Sequence, residues 1–275
     1  MPNEPTTERF TLTSTEGLPI RVVLDRPPRV KSLVVIIHGF KGFKDWGFFP
    51  FLSEALALSG FAACRFDMSR NGVGEDSETF DRLDLFAEDT YSTQLSDLNT
   101  VIEHLRSDPA LRSTPIFLLG HSRGGAIALL GSSRVGQLCG VITWSSISTV
   151  DRWDESVKRQ WRQDGFLNVP NQRTGQIMKV STRILEDCEA NGPDLDVLSA
   201  VRSLRTPLLI VHGASDETVA LDEARVIASN AIQPSLVVIA GASHTYSAIH
   251  PLINVPQPLR TATRVTLGFL TAYSC

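Results

Sequence analysis

Along the chain, short runs of β-branched and other apolar residues, each bounded by turn residues, alternate with longer stretches of helical period. The runs are Leu33-Val34-Val35-Ile36-Ile37, Ala62-Ala63-Cys64-Arg65-Phe66, Pro115-Ile116-Phe117-Leu118-Leu119, Val141-Ile142-Thr143-Trp144, Leu208-Leu209-Ile210-Val211 and Leu236-Val237-Val238-Ile239. Near-continuous apolar runs suit strands covered on both faces, and the stretches between them suit crossover helices, so the pattern predicts an α/β protein with a mainly parallel sheet. Helices are expected at roughly 48–59, 88–106, 123–132, 220–231 and 258–273. Residues 10–25 alternate about Glu16-Gly17, as an antiparallel edge hairpin would.

Residues 147–203 break the rhythm, being rich in charge and helical period with no run that reads as a strand. They are predicted to form a helical cap inserted between a first core part, 1–146, and a second, 204–275. Within the cap, Trp153, Val157 and Trp161 fall at i, i+4 and i+8, which predicts one apolar helix face packed on the core.

With 275 residues, 42% of them apolar, the chain can bury the core of one α/β domain carrying an insertion. The net charge of −4 and the lack of any run of like charges leave no footprint for nucleic acid or an anionic membrane. The N-terminal residues show neither a basic nor an apolar signal region, and no apolar stretch is long enough to span a bilayer, so a soluble cytoplasmic protein is expected. Cys64, Cys139, Cys188 and Cys275 have no C-x-x-C spacing and are expected as thiols in a reducing compartment. No H-E-x-x-H or Cys/His cluster points to a metal. The loop from Asp67 to Ser77 lacks any phosphate-binding signature, so no cofactor is expected, and Asp67 and Arg70 are read as tying that loop together.

The chemistry resides in Gly120-His121-Ser122-Arg123-Gly124-Gly125, a G-x-S-x-G turn directly after a strand and directly before the helical run Ala126-Ile127-Ala128-Leu129-Leu130. Such a turn lifts a serine hydroxyl above the sheet, and Gly120 and Gly124 let strand and helix approach. A serine hydroxyl is a poor nucleophile until a positioned base takes its proton, so a histidine and an acid should follow. Asp216, in His212-Gly213-Ala214-Ser215-Asp216, and His244, in Gly241-Ala242-Ser243-His244, each follow a strand and complete the order Ser, Asp, His. Glu217 and Asp222 are the alternative acids.

Acyl transfer also needs oxyanion donors, which are expected to be the backbone N–H of Arg123 and, from the loop His38-Gly39-Phe40-Lys41-Gly42, that of Phe40. The candidate substrate contacts are His121, inside the turn, and Trp153, Trp161 and Phe166 of the cap, together with Ile177; such cap residues are more often packing than contact, and His121 also reads as structural or exposed.

Through its H-G-F, D-x-x-R-x-G-x-G-x-x-S, G-H-S-x-G-G, H-G-x-x-D and G-x-x-H segments the chain resembles the α/β-hydrolase superfamily over nearly its whole length. It looks most like the branch with cinnamoyl (feruloyl) esterases, dienelactone-hydrolase-like proteins and acylaminoacyl-peptidase-type domains. The resemblance implies Ser122, Asp216 and His244 as a triad, with Phe40 and Arg123 as oxyanion donors. Dienelactone hydrolases proper place a cysteine where this chain has Ser122, and haloalkane dehalogenases an aspartate. The expected activity is cofactor-free hydrolysis of small-molecule carboxylic esters, with the cap shaping a mostly apolar acyl pocket. An amidase or acyl-CoA thioesterase would use the same triad, and a non-catalytic ligand-binding protein could reuse the fold.

Overall fold

In the computed structural model, which describes residues 4–74 and 79–274, the expected runs assemble into one eight-stranded sheet. The chain passes through β1 (Thr6–Thr13), β2 (Pro19–Arg26), β3 (Ser32–Ile37), α1 (Phe49–Leu58), β4 (Phe61–Phe66), α2 (Leu83–Ala87) and α3 (Tyr91–Ser107). It continues through β5 (Ile116–His121), α4 (Arg123–Gly131), β6 (Leu138–Trp144), α5 (Glu155–Asp164), β7 (Phe166–Pro170), β8 (Ile177–Ser181), α6 (Arg183–Ala190) and α7 (Val197–Ser203). It ends with β9 (Leu208–Gly213), α8 (Leu221–Asn230), β10 (Pro234–Ile239) and α9 (Gln257–Tyr273). The strand order is β1-β2-β4-β3-β5-β6-β9-β10, parallel from β4 to β10, with β1 and β2 joined antiparallel at one edge. The fold is that of an α/β hydrolase.

The central strands read as unbroken apolar runs because both faces are covered. Leu33, Val35 and Ile37 of β3 enter one core with α3 and α4, while Val34 and Ile36 enter a second with α1 and α9. Thr90 begins α3 by accepting the N–H of Thr93, and Arg106 in its last turn donates to the carbonyls of Leu111, Arg112 and Thr114. Among the described residues no helix is long and apolar enough to cross a membrane.

The segment 147–203 departs from the expected helical cap, because β7 and β8 pair as an antiparallel hairpin inside it. Gly165, in the left-handed region at φ 76°, ends α5 and lets the chain turn straight into β7. The alternation that marks β8, with Met178 and Val180 buried and Ile177 and Lys179 outside, is legible in the sequence but is masked there by the surrounding charge. The predicted helix face is also displaced. Trp153 precedes α5, Val157 is 37% exposed, and Lys158 and Trp161 are the residues α5 buries. Lys158 can lie inward because its ammonium reaches Asp151 at 2.5 Å and Glu155 at 3.0 Å while its stem covers apolar surface. α7 packs against α4 and α8 in the manner of a crossover helix. Of the loop read as self-tied, Asp67 accepts from Asn71 Nδ2 as expected, whereas Arg70 reaches out to Glu16 on the edge hairpin at 2.6 Å. Glu75, Asp76 and Ser77 of that loop, and Cys275, lie outside the described residues.

Glycine sets how closely β5 and α4 approach. A Cβ on Gly120 would stand 2.0 Å from the carbonyl oxygen of Gly124, whereas one on Gly268, on the exposed side of α9, would meet nothing. Gly120→Ala should therefore destabilise the fold by about 3 kcal/mol or more. Gly268→Ala should stabilise it by about 0.5–1 kcal/mol. Urea denaturation of both variants checks the pair, and equal effects would contradict the close approach.

Candidate active site

Ser122 sits between the last residue of β5 and the first of α4 with φ 57° and ψ −123°, a conformation an L-residue adopts only under strain. It persists because both flanks are held. The Ser122 N–H donates to the carbonyl of Trp144 on β6, and Gly125 N–H donates to the carbonyl of Ser122. As the first residue of α4, Arg123 has no partner for its N–H within the helix, which leaves that donor available beside Ser122. The Phe40 loop presses on the same place, since a Cβ on Gly39 would lie 2.9 Å from Ser122 Cβ. His38 holds that loop from below: its Nε2 accepts the N–H of Met68 at 3.1 Å, leaving Nδ1–H to donate to the carbonyl of Gly39 at 2.9 Å. Its burial disfavours protonation, so the imidazole stays neutral.

Asp216 and His244 come from the loops after β9 and β10. His244 Nδ1–H donates to the Asp216 carboxylate at 2.9 Å and 3.1 Å, and Asp216 Oδ1 also accepts the N–H groups of Thr218 and Val219. Of the three candidate acids only Asp216 meets His244; Glu217 is exposed and Asp222 pairs with Arg225 at 2.7 Å. Burial alone would raise the Asp216 pKa. The His244 hydrogen bond and charge, with the Val219 N–H and the Ser145 hydroxyl, outweigh it and bring it to about 2.

His121 is not on the surface. Its Nε2–H donates to the backbone carbonyl of His244 at 3.0 Å and its ring packs edge-on against Phe48. Burial first, and the neighbouring His244 second, depress its pKa to about 3, so it anchors the His244 loop as a neutral ring. Sequence reasoning passed over His212, whose Nε2–H donates to Val219 O at 2.9 Å and lies 3.4 Å from Asp216 Oδ2. The rest of the histidines have structural partners: His104 packs on Phe10, and His250 accepts the Gly47 N–H and stacks with Trp46.

Ser122, His244, Phe40 and Lys41 border two cavities, one of about 580 Å³ and one of about 320 Å³. The larger is walled by Trp153 and Trp161, stacked edge to face at 5.1 Å, and by Leu167, Val169 and Val180 of the hairpin. Phe166 does not reach it. One position along a strand reverses the face, so Leu167 and Val169 point in while Phe166 lies outside under the Lys179 ammonium at 3.9 Å. Ile177 is likewise 59% exposed. The smaller cavity is bordered by Trp46, Phe49, His121 and Asn171. Among the described residues no three His, Cys, Asp or Glu side chains gather as a metal would require.

A sequence model described as the alpha/beta hydrolase family matches residues 34–260. A curated relative, 2,6-dihydropseudooxynicotine hydrolase of Paenarthrobacter nicotinovorans, is 27% identical over 221 residues, which is 78% of this chain and 52% of that one; the chain thus spans about half the length of the relative. Est1E from Butyrivibrio proteoclasticus, solved with ferulic acid bound, superposes with a TM-score of 0.75 at 21% identity, covering 96% of this chain and 98% of its own. Dienelactone hydrolase from Anabaena variabilis superposes with a TM-score of 0.67 at 17% identity, covering 99% and 100%. At these identities the two structures share the fold.

The depressed Asp216 pKa has a consequence for stability. Between its unfolded value near 3.9 and about 2, the folded protein holds fewer protons than the unfolded chain, so stability rises with pH across that window and is lost as pH falls through it. Asp216→Asn should flatten this part of the profile. Thermal melts of both proteins from pH 5 to pH 2 read it, and parallel profiles would show that Asp216 is not held as an anion by His244.

Proposed function

We propose that this chain, which belongs to the alpha/beta hydrolase family, is a hydrolase that cleaves carboxylic esters through an acyl-enzyme on Ser122. The observation that carries the reading is the Asp216–His244 pair, held with its imidazole on the same two cavities as a strained, half-buried serine. Ser122 Oγ attacks the ester carbonyl while His244 Nε2 takes its proton. Asp216 fixes the ring with Nδ1 protonated and stabilises the imidazolium that forms, and its depressed pKa keeps it charged at any working pH. The N–H groups of Phe40 and Arg123 receive the negative charge that develops on the carbonyl oxygen. His244 returns the proton to the departing alcohol; water then attacks the acyl carbon as it gives a proton to His244, the bond to Ser122 Oγ breaks, and His244 returns that proton to Ser122 Oγ as the acid leaves.

Residues 147–203 act in this reading as a cap. Trp153, Trp161 and the hairpin supply the apolar wall of the larger cavity, which is the acyl pocket, while the triad and the oxyanion donors all belong to core loops. The thioesterase alternative calls for free cations to meet CoA phosphates. Of the four cap cations that could serve such an entry, Arg152 is paired with Glu223 at 2.6 Å, Lys158 with Asp151 and Glu155, and Arg162 contacts Glu189, while Arg159 is exposed on α5.

Ser122→Ala should lower hydrolysis of p-nitrophenyl esters by about 10⁶-fold, as nucleophile removal does in comparable triads. It should also abolish labelling by a fluorophosphonate without changing the melting temperature. A folded variant keeping a few per cent of the activity would remove Ser122 from its role. Truncating the acyl wall with Trp153→Ala should change the ranking of short-chain, long-chain and aromatic esters by kcat/KM. An unchanged ranking in a folded variant would reduce the cap to a structural lid.

A further inference from the structure

Arg123 contributes more to the larger cavity than its backbone. Its side chain, only 7% exposed, forms part of that cavity's wall beside Ser122. The guanidinium carbon lies 4.1 Å from the centre of the Phe40 ring and 4.9 Å from that of Tyr91, contacts that partly balance its charge but satisfy none of its N–H groups. Nη1 forms a buried ion pair with Asp89 Oδ2 at 3.5 Å, longer than a usual N–H···O bond, and that oxygen also accepts from Gln94 Nε2 at 2.5 Å. Among the described residues no acceptor forms a hydrogen bond with this guanidinium, although it carries five N–H donors.

The other deeply buried arginine is treated differently. Arg65 donates to Asp25 at 2.5 Å, to Ser53 at 2.9 Å and to Asp45 at 3.2 Å. The unfilled N–H edge of Arg123 therefore belongs to its position on the cavity. Among the described residues no Asp or Glu lines that cavity, while Lys41 lines it with an ammonium whose one hydrogen bond runs to the backbone carbonyl of Pro170 at 3.0 Å. Arg152, also in the wall, is already closed by Glu223. Donors without hydrogen-bond partners on a largely apolar cavity wall favour a ligand that brings the acceptors, and a planar guanidinium edge matches a carboxylate best.

We infer that Arg123 is a specificity residue that anchors a carboxylate on the acyl half of the substrate, so that the enzyme selects short half-esters of dicarboxylic acids. Lys41, which lines the same cavity, adds positive potential, and the methylenes between ester and acid lie along the apolar wall of Trp153, Trp161 and Leu167. The chain is short because Arg123 is the residue next to Ser122. This inference rests on the ester-hydrolase reading with the larger cavity as acyl pocket.

The test compares p-nitrophenyl hydrogen glutarate with its neutral methyl ester, which has the same reacting carbonyl. Wild type should turn over the acid with a kcat/KM about 10- to 100-fold higher, the size expected of a charge-assisted bidentate contact. In Arg123→Met that ratio should fall to near one, in Arg123→Lys to an intermediate value, and in Lys41→Asn by a smaller factor. Because the ratio cancels any disturbance of the Phe40 loop, it reads the contact and not the chemistry. Equal wild-type rates for acid and methyl ester, or an Arg123→Met enzyme that is folded and keeps the ratio, would overturn the inference. If wild type cleaves neither ester, the hydrolase reading fails by itself. Calorimetric binding of glutarate against dimethyl glutarate to wild type then decides the anion site, with selective glutarate binding supporting it and equal or absent binding overturning it.

Discussion

The close approach of the end of β5, the start of α4 and the end of β3 is the constraint from which the site follows. A side chain at Gly120 would overlap Gly124, and one at Gly124 would lie 2.3 Å from the carbonyl oxygen of Ile37. With no room to relax, the backbone turns between them through a residue at positive φ, and that residue is Ser122. Such a conformation costs about 1–3 kcal/mol and survives only where its surroundings over-determine it. Here two hydrogen-bonded strands on either side of β5 and a fully buried helix after it supply that enforcement. The same geometry brings the loop after β3 against the serine and exposes the first N–H of α4.

Around this strained turn the polar groups are arranged so that charge resides where chemistry would use it. Asp216 is buried yet stays an anion, since each of its oxygens is met by donors from its own loop or from His244. Two histidines beside the site, His38 and His121, are held neutral by burial and serve to tie loops together, one beneath Phe40 and the other behind His244. In the proposed reading this support leaves the imidazole of His244, which borders the same two cavities as Ser122, to exchange protons.

The segment 147–203 roofs this arrangement with mixed structure. Its hairpin is anchored at several points: Trp161 Nε1 donates to Val180 O at 2.8 Å, Gln176 Nε2 to Phe80 O at 2.9 Å, and Lys41 Nζ to Pro170 O at 3.0 Å. The last of these joins the hairpin to the loop after β3 directly. The cavity wall above Ser122 is thereby tied to the core, and the Arg123 guanidinium, with a single long ion pair to Asp89, stands out in it.

The sequence by itself determined the fold class, the strand runs and the positions of Ser122, Asp216 and His244, because each depends on local requirements. A strand buried on both faces must be apolar throughout, a strand-to-helix turn this tight must have glycines at Gly120 and Gly124, and a triad in this fold must follow the strand ends. Tertiary structure alone decided what depends on faces and distant partners. That Asp216 and not Glu217 or Asp222 meets His244 is set across 28 residues, and that His121 supports His244 is set across 123. Phe166 and Ile177 fell outside the cavity because one step along a strand changes its face, and pairing register, not hydrophobicity, decides which step points inward. The side chain of Arg123, named from the sequence only for its N–H, owes its place in the wall to Phe40, Tyr91 and Asp89, three residues that no local pattern could bring to it.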